Sequence, residues 1–149
     1  MRQWTTGVCI VCSRFGNMVH GMTVNSFTSV SLDPPIVAIT LANQTRTANL
    51  VQKSGRFSVS ILAKNQKSLA EKFSGKVIEG PGRFDNVSTV LLPNEIPGIA
   101  ESLSLLACEV IQVIPLKNSS IYLGKVLYSE VIHQSLEPLV YQNREYKTL

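Results

Sequence analysis

The sequence predicts a mainly β domain, built as an antiparallel barrel of six or seven strands. Apolar segments of strand length, separated by turn residues, fill most of the chain, and only two short stretches have the pattern of a helix. A parallel sheet would need a crossover helix after nearly every strand. With 149 residues, 44% of them hydrophobic and 16% charged, the chain is expected to form a single domain over residues 1–149.

The first third of the chain is expected to form a hairpin, a loop and a third strand. The apolar run 4–14 predicts a buried strand, 15–17 its turn, and 18–27 the returning strand. The segment 31–35 is expected to be a loop, because two prolines cannot sit inside a sheet ladder. The apolar segment 36–41 predicts the third strand.

Two short helices are predicted in the middle of the chain. Thr45 is expected to cap a helix that ends at Gly55, and 56–62 then alternates as a strand. A second helix is predicted over 65–74, and a surface loop over 76–84. The remaining predicted strands are 87–92, 104–116 and 120–133.

Positive charge is concentrated in one part of the chain. The segment 42–83 contains eight basic and two acidic residues, a net +6, which leaves −2 for the rest of a chain whose total is +4. An anionic ligand would be attracted to this segment, although Lys53, Lys64, Lys67 and Lys72 are individually better explained as solvated helix faces. Arg46 differs, because a cation at a helix start opposes the helix dipole unless an anion is bound; simple solvent exposure is the alternative.

The three cysteines are expected to be free thiols, since their number is odd and the chain has no export signal. Cys9 and Cys12 form a C-x-x-C, but residues three apart in a strand point to opposite faces, so a redox motif is not favoured. No metal site is predicted, because the other candidate ligands, Cys108, His20 and His133, lack the spacing of a zinc site.

Several classes of protein are excluded or disfavoured. No run reaches the roughly 20 apolar residues of a membrane span, and the N-terminus is unlike a signal peptide, so a cytoplasmic location is expected. The usual nucleotide-binding, zinc-protease and serine-hydrolase motifs do not occur, which favours an enzyme that relies on a cofactor. Nucleic-acid binding is not expected, because aromatic residues are not interleaved with the basic ones.

The segment 21–35, GMTVNSFTSVSLDPP, contains the candidate ligand-binding residues. Small hydroxyl and amide side chains lie between two apolar strands, where a plain barrel would alternate polar and apolar residues. A flavin would use such a segment, because its pyrimidine edge binds backbone groups and its ribityl-phosphate binds hydroxyls, amides and an arginine. The same residues also suit an ordinary edge strand and turn.

With the strand 36–41 that follows, this segment closely resembles the signature of the flavin reductase family, which has the FMN-binding split-barrel fold. The resemblance extends to FSVSIL at 57–62, EKFSG at 71–75, RF at 83–84 and PLVY at 138–141. It implies an antiparallel, Greek-key split barrel that forms a homodimer and holds FMN, or FAD in some members, near the subunit interface.

The resemblance also implies an activity. NAD(P)H would be the co-substrate and would transfer hydride to flavin N5, so no protein acid or base is expected to be catalytic. Reduced flavin would then pass to a partner monooxygenase or another electron-acceptor protein. The alternative is a flavoredoxin-like FMN electron carrier without NAD(P)H activity of its own.

The family's flavin contacts can be carried over residue by residue. The resemblance places the isoalloxazine ring and ribityl chain along Thr23, Val24, Asn25 and Ser26. It places the ribityl-phosphate near Ser29 and Ser31, and also near the segment that opens with Asn43, where Arg46 and Thr47 would bind the phosphate at a helix start.

On the nicotinamide side the chain departs from the family pattern. Many members have a G-D-H-[TS]-I segment whose histidine lies near the nicotinamide, and Ser119 stands at that position here. The C-terminal P-L-x-Y-x-x-G-R-Y pattern is also altered between Tyr141 and Tyr146. The candidate nicotinamide contacts are therefore Ser119, His133, Tyr141 and Tyr146.

Overall fold

The computed structural model describes residues 1–75 and 82–149 as a mainly β chain. Lys76, Glu79 and most of the predicted loop 76–84 lie outside the described residues. The strands are β1 Thr6–Gly7, β2 Cys9–Phe15, β3 Met18–Val24, β4 Thr28–Leu32, β5 Pro35–Ala42, β6 Arg56–Ile61, β7 Thr89–Leu91, β8 Pro97–Ile99, β9 Ser104–Pro115, β10 Ser119–Val131, β11 Val140–Gln142 and β12 Glu145–Lys147. The helices are α1 Arg46–Ser54 and α2 Lys67–Phe73, the second preceded by a 3₁₀ turn, Lys64–Gln66.

Seven strands form the main sheet, in the order β3-β2-β6-β9-β10-β5-β4, and all neighbouring pairs are antiparallel. The strands β3 and β4 are at opposite edges, yet only the three residues 25–27 connect them. Such a connection spans at most about 14 Å, so the two edges meet at one end and the sheet curls into a split barrel. The predicted fold class is confirmed.

The split is bridged by a side chain. Ser26 lies just before β4, and its Oγ donates to the carbonyl oxygen of Thr40 at 2.8 Å and accepts from the Thr40 backbone N–H at 3.1 Å. The β4–β5 pairing begins at Thr28 and Ala38, so the Ser26 hydroxyl satisfies the backbone of β5 beyond the end of its partner strand.

The prediction of a loop at 31–35 was wrong. Ser31 and Leu32 are the last two residues of β4. Pro35 is the first residue of β5, where it pairs with Leu32. Only Asp33 and Pro34 form the turn, which is possible because a proline at the first residue of a strand need not donate to the ladder. The three-residue strands β8, β11 and β12 were not predicted. The returning strand that was predicted over 18–27 ends at Val24.

The predicted cap residues define α1. The Thr45 side chain accepts from the backbone N–H of Ala48 at 3.2 Å and donates to the carbonyl of Ala42, the last residue of β5, at 2.8 Å. Gly55 ends the helix in the left-handed conformation, with φ 67°. The start of α1 is therefore fixed directly beyond the end of β5.

The two faces of β2 bury different cores. Cys9 packs into the barrel interior with Phe57 and Tyr122, whereas Cys12 packs on the other face with Phe73 of α2. This confirms that the C-x-x-C thiols point apart. All three cysteines are free, and burial raises the pKa of Cys9, Cys12 and Cys108 to about 12, so these thiols stay protonated.

The helix α2 packs closely on β3. A Cβ atom at Gly21 would lie 2.8 Å from the Cys12 sulfur and 3.2 Å from the Phe73 ring, so only glycine allows this approach. Two residues further on, Thr23 Oγ1 donates to the Ala70 carbonyl at 2.7 Å. In the part of the chain that is described, no helix is long and apolar enough to cross a membrane.

Candidate functional site

The start of α1 and the start of β3 border a cleft of about 500 Å³, called the α1 cleft below. It contains predicted phosphate-site residues together with amide side chains that were not predicted to belong to a site. Its lining residues are Asn17, Met18, Val19, His20, Asn43, Gln44, Thr45, Arg46, Asn49 and Leu50.

The end of β3 borders a smaller cleft of about 180 Å³, called the hairpin cleft because the β11–β12 hairpin forms one wall. Its lining residues are Val8, Thr23, Val24, Asn25, Ser74, Gly75, Tyr141 and Tyr146. Three predicted flavin contacts and two predicted nicotinamide contacts therefore lie together.

The segment before α1 is held by the turn between β9 and β10. Asn43 Oδ1 accepts from the Ser120 hydroxyl at 2.7 Å, and Nδ2 donates to the Leu116 carbonyl at 3.3 Å. The Asn43 backbone N–H donates to Asn118 at 3.0 Å. The Asn43 side chain thus fixes the entrance to α1.

At the α1 cleft, a partly buried network connects β3, α1 and the segment that contains Arg83. His20 on β3 is 8% exposed, and its Nδ1 lies 2.8 Å from Oγ1 of Thr47 on α1. Its Nε2 lies 3.4 Å from Nη1 of Arg83, whose Nη2 donates to the Ser74 carbonyl at 3.3 Å. The Arg83 guanidinium also lies 5.7 Å from the centroid of the Phe73 ring.

The α1 cleft suits an anion. Arg46, the first residue of α1, is exposed, and the first turn of the helix contains no acidic residue. The Ala48 backbone N–H is bound by the Thr45 side chain, and backbone N–H groups in the first turn of an α-helix have no acceptor one turn earlier in the same helix. These donors, with the positive end of the helix dipole, would bind a phosphate.

The hairpin cleft has a different chemistry. Tyr141 and Tyr146 pack with ring centroids 5.3 Å apart, and Asn25 on the opposite wall is exposed. Burial, with smaller contributions from Tyr141 and Glu71, raises the pKa of Tyr146, so its hydroxyl is a neutral donor or acceptor. Aromatic walls and a few polar groups suit a flat ring.

Other predicted site residues lie elsewhere. Ser29 is exposed and Ser31 is half-buried on β4, on either side of a bulge at the far edge of the sheet. Ser119 is the first residue of β10 and pairs with Ala42, so it lies at the α1 end of the barrel. His133 follows the opposite end of β10, where its Nε2 lies 2.8 Å from Oε2 of Glu101.

The structure therefore brings Ser119 close to the entrance of α1, and Tyr141 and Tyr146 close to Asn25, but does not bring the four candidate nicotinamide contacts together within one chain. A third cleft of about 470 Å³, between β7 and the end of β10, contains none of the predicted site residues.

His20 and Arg83 were not among the predicted site residues. His20 is the only titratable residue in the seven residues of β3, and a polar side chain inside a buried strand is a signal that could have found it. Arg83 gives no such signal, because its contacts with His20 and Ser74 depend on the tertiary fold.

Comparisons with known proteins agree with this architecture. The family model described as flavin reductase like domain matches residues 1–149. The reductase component of an FADH(2)-dependent resorcinol hydroxylase from Rhizobium sp. strain MTP-10005 is 30% identical, over 98% of this chain and 82% of that protein. An NADH-dependent flavin reductase from Rhodococcus sp. is 30% identical, over 99% of this chain and 81% of its own length.

A solved structure shows the same fold. The NADH:FAD oxidoreductase SgcE6 of Streptomyces globisporus C-1027, in complex with NAD and FAD fragments, has a TM-score of 0.89 and 29% sequence identity. The match covers 97% of this chain and 86% of that one. The resemblance noted in the sequence thus extends over the whole chain, which belongs to the family of flavin reductase like domains.

Proposed function

We propose that this protein is an NAD(P)H-dependent flavin reductase that supplies reduced flavin to a partner monooxygenase. The observation that supports the proposal most directly is that β3 borders both clefts. Thr23 in the hairpin cleft is three positions after His20 in the α1 cleft, which is about 10 Å along a strand. One flavin nucleotide is long enough to have its phosphate in the first and its ring in the second.

The residues on both sides of β3 fit such a ligand. Arg46 and the first N–H groups of α1 would hold the phosphate, and Tyr146 with Val24 would contact the ring. In the described part of the chain β3 is an edge strand, so its outer backbone N–H and C=O groups are available to the pyrimidine edge of a flavin. The Thr23 and Ser26 hydroxyls already bind Ala70 and Thr40, so they would act on the ligand through their backbone groups.

The redox chemistry would be that of the bound flavin, which would supply hydride acceptance from the nicotinamide and electron transfer to an acceptor. The chain itself would contribute position and charge, and no side chain is needed as an acid or base. FMN is the proposed flavin, since Arg46 and the start of α1 offer one compact phosphate site. FAD is the alternative, which the FAD fragments in the related structure support.

Ser119 and the two tyrosines of the hairpin cleft are the proposed nicotinamide contacts. Ser119 and the tyrosines lie apart within one chain, but a second copy of the chain would bring Ser119 of one subunit close to the tyrosines of the other if the site lies at the dimer interface. His133 is a weaker candidate, because it is held by Glu101 at the other end of β10.

A homodimer is part of the proposal. Exposed apolar side chains are concentrated on the edge strand β4 and on the second half of β9, where Leu32 is 89% and Ile111 is 50% exposed. A second copy of the chain would remove this surface from water. Light scattering at micromolar concentration should give a dimer, and Leu32→Glu should shift it toward monomer; a monomeric parent protein would contradict this part of the proposal.

The monooxygenase partner is inferred from the related proteins that are reductase components of monooxygenases, and a cytoplasmic location remains a prediction from the sequence.

Anaerobic absorbance spectra test the reductase activity itself. The protein with bound FMN should lose the oxidised flavin band when NADH or NADPH is added. If flavin binds but millimolar NADH and NADPH leave the band unchanged, the electron-carrier alternative replaces the reductase.

A further inference from the structure

We propose that His20 is a positioning residue for the phosphate end of the flavin and that it acts through Thr47. The inference rests on the proposed flavin function and identifies what holds the α1 cleft in shape. Its basis is that a buried histidine on β3 contacts a different part of the chain through each ring nitrogen.

The partners determine where the hydrogens of the imidazole lie. Guanidinium nitrogens donate hydrogen bonds and accept none, so Nε2 of His20 accepts from Nη1 of Arg83. In the neutral ring the hydrogen is then on Nδ1, which donates to Oγ1 of Thr47 at 2.8 Å. Thr47 is fully buried, so water does not compete for this hydrogen bond.

The Thr47 hydroxyl therefore has a structural partner on the sheet, and Thr47 is buried and is not among the residues that line the α1 cleft. Thr47 is the second residue of α1 and directly follows Arg46, which is exposed to the cleft. Anchoring its side chain to His20 on the sheet fixes the direction of the first-turn N–H groups and the position of the Arg46 backbone. His20 thus orients the proposed phosphate donors while its two ring nitrogens contact other parts of the chain.

Arg83 extends this anchor to the second cleft. The same guanidinium that contacts His20 donates to the Ser74 carbonyl, and Ser74 lines the hairpin cleft. The network therefore also reaches the hairpin cleft, although His20 lies 3.4 Å from Arg83 and only 2.8 Å from Thr47. A ligand whose phosphate lies in the α1 cleft depends on the Thr47 anchor, whereas a ligand that occupies only the hairpin cleft does not.

FMN and riboflavin make this distinction measurable, because riboflavin lacks the phosphate. Thr47→Val removes the hydroxyl at nearly constant volume, and His20→Phe removes both ring nitrogens. Each should raise the Kd for FMN about five- to tenfold, the effect of one lost hydrogen bond, and change the Kd for riboflavin less than about twofold. Thr47→Ser, which restores the hydroxyl, should rescue FMN binding. Flavin fluorescence titration gives all of these constants.

Action through Thr47 has its own readout. In the Thr47→Val background, His20→Phe should weaken FMN binding by less than about a further twofold, because the two residues form one interaction. Losses that multiply, or equal losses for FMN and riboflavin, would overturn the proposal.

A second measurement does not depend on how the variants fold. The chain has two histidines, so nitrogen-15 NMR of the parent protein, with His133→Gln for assignment, identifies the His20 resonances. A neutral ring with its hydrogen on Nδ1 supports the proposal, and a hydrogen on Nε2 overturns it. If the parent protein bound neither FMN nor riboflavin, the proposed function would fail instead, and the NMR result would still report whether the His20 network exists.

Discussion

The α1 cleft and the hairpin cleft border the same strand, β3, but they are built in different ways. The α1 cleft comes from two short segments, 17–20 and 43–50, and hydrogen bonds of His20 and Asn43 anchor its walls. The hairpin cleft joins residues from four separate parts of the chain, between Val8 and Tyr146, and its outer wall consists of two three-residue strands.

This difference predicts that the two clefts bind different parts of one ligand. The α1 cleft offers fixed donors and positive charge, so it should select for a phosphate. The hairpin cleft offers aromatic and apolar walls, so it should select for a flat ring whatever is attached to that ring. Variants on the two sides should therefore separate FMN from riboflavin in different ways.

Arg46→Ala should have the largest effect and is the strongest test of this division. Losing a charge-assisted hydrogen bond to the phosphate should weaken FMN binding by about 1.5–3 kcal/mol, or roughly ten- to hundredfold in Kd. Riboflavin should bind nearly as before. Fluorescence titration of both flavins measures the two constants.

Lys53→Ala is the matched control for Arg46→Ala. Lys53 is a cation in the last turn of the same helix, where its Nζ lies 5.9 Å from the Phe15 ring centroid, outside the α1 cleft. It should leave both constants unchanged. Equal losses for FMN and riboflavin in Arg46→Ala would show that Arg46 does not bind the phosphate.

Ser119→His should have the next largest effect, and it tests which cleft the nicotinamide binds next to. Restoring the histidine common in the family should lower the KM for NADH or NADPH by about five- to thirtyfold, or roughly 1–2 kcal/mol, with kcat unchanged. Steady-state kinetics with both nucleotides measure this. An unchanged KM would place the nicotinamide away from the α1 end of the barrel, on the side of the tyrosines.

Features of the fold that depend on neighbouring residues could be predicted from the sequence, and features that depend on contacts between distant segments could not. The caps of α1, Thr45 and Gly55, are local signals, and the structure confirms both. The order of the seven strands and the short β11–β12 hairpin depend on contacts between distant segments, so composition and periodicity could not predict them. The loop expected at 31–35 failed because proline is tolerated where a strand begins.

The same limit applies to the site. Candidate residues that are close in sequence, such as Asn43 with Arg46 or Thr23 with Asn25, lie in the same cleft. The network of His20 and Arg83 could not be predicted, because these residues are 63 positions apart and meet only in the folded barrel. Whether the predicted residues contact flavin remains a prediction that the variants described here test.

Tyr146→Ala should have a smaller effect and tests the ring side of the comparison. Removing one aromatic wall of the hairpin cleft should cost about 0.5–1.5 kcal/mol, or roughly two- to tenfold in Kd, for FMN and riboflavin alike. Tyr146→Phe keeps the ring and should bind both flavins nearly as the parent does. A loss confined to FMN in Tyr146→Ala would contradict the assignment of the ring to this cleft.

The smallest expected effect concerns the Tyr146 hydroxyl at high pH. Burial, with contributions from Tyr141 and Glu71, raises the pKa of Tyr146 above its ordinary value of 10.0 in the folded chain. As the pH rises, the unfolded chain releases this proton first, so the contribution of Tyr146 to stability is constant well below pH 10 and falls as the pH passes 10.

Urea unfolding of the parent protein and Tyr146→Phe, measured from pH 7 to above pH 10, isolates this contribution. The three buried cysteines, whose pKa is raised to about 12, lower the stability of both proteins in the alkaline range, so the difference between the proteins is the quantity that matters. The parent should lose stability more steeply than Tyr146→Phe above pH 10. Parallel curves would mean that the Tyr146 hydroxyl is as well solvated in the hairpin cleft as in the unfolded chain, and that this cleft is more open to water than its aromatic walls indicate.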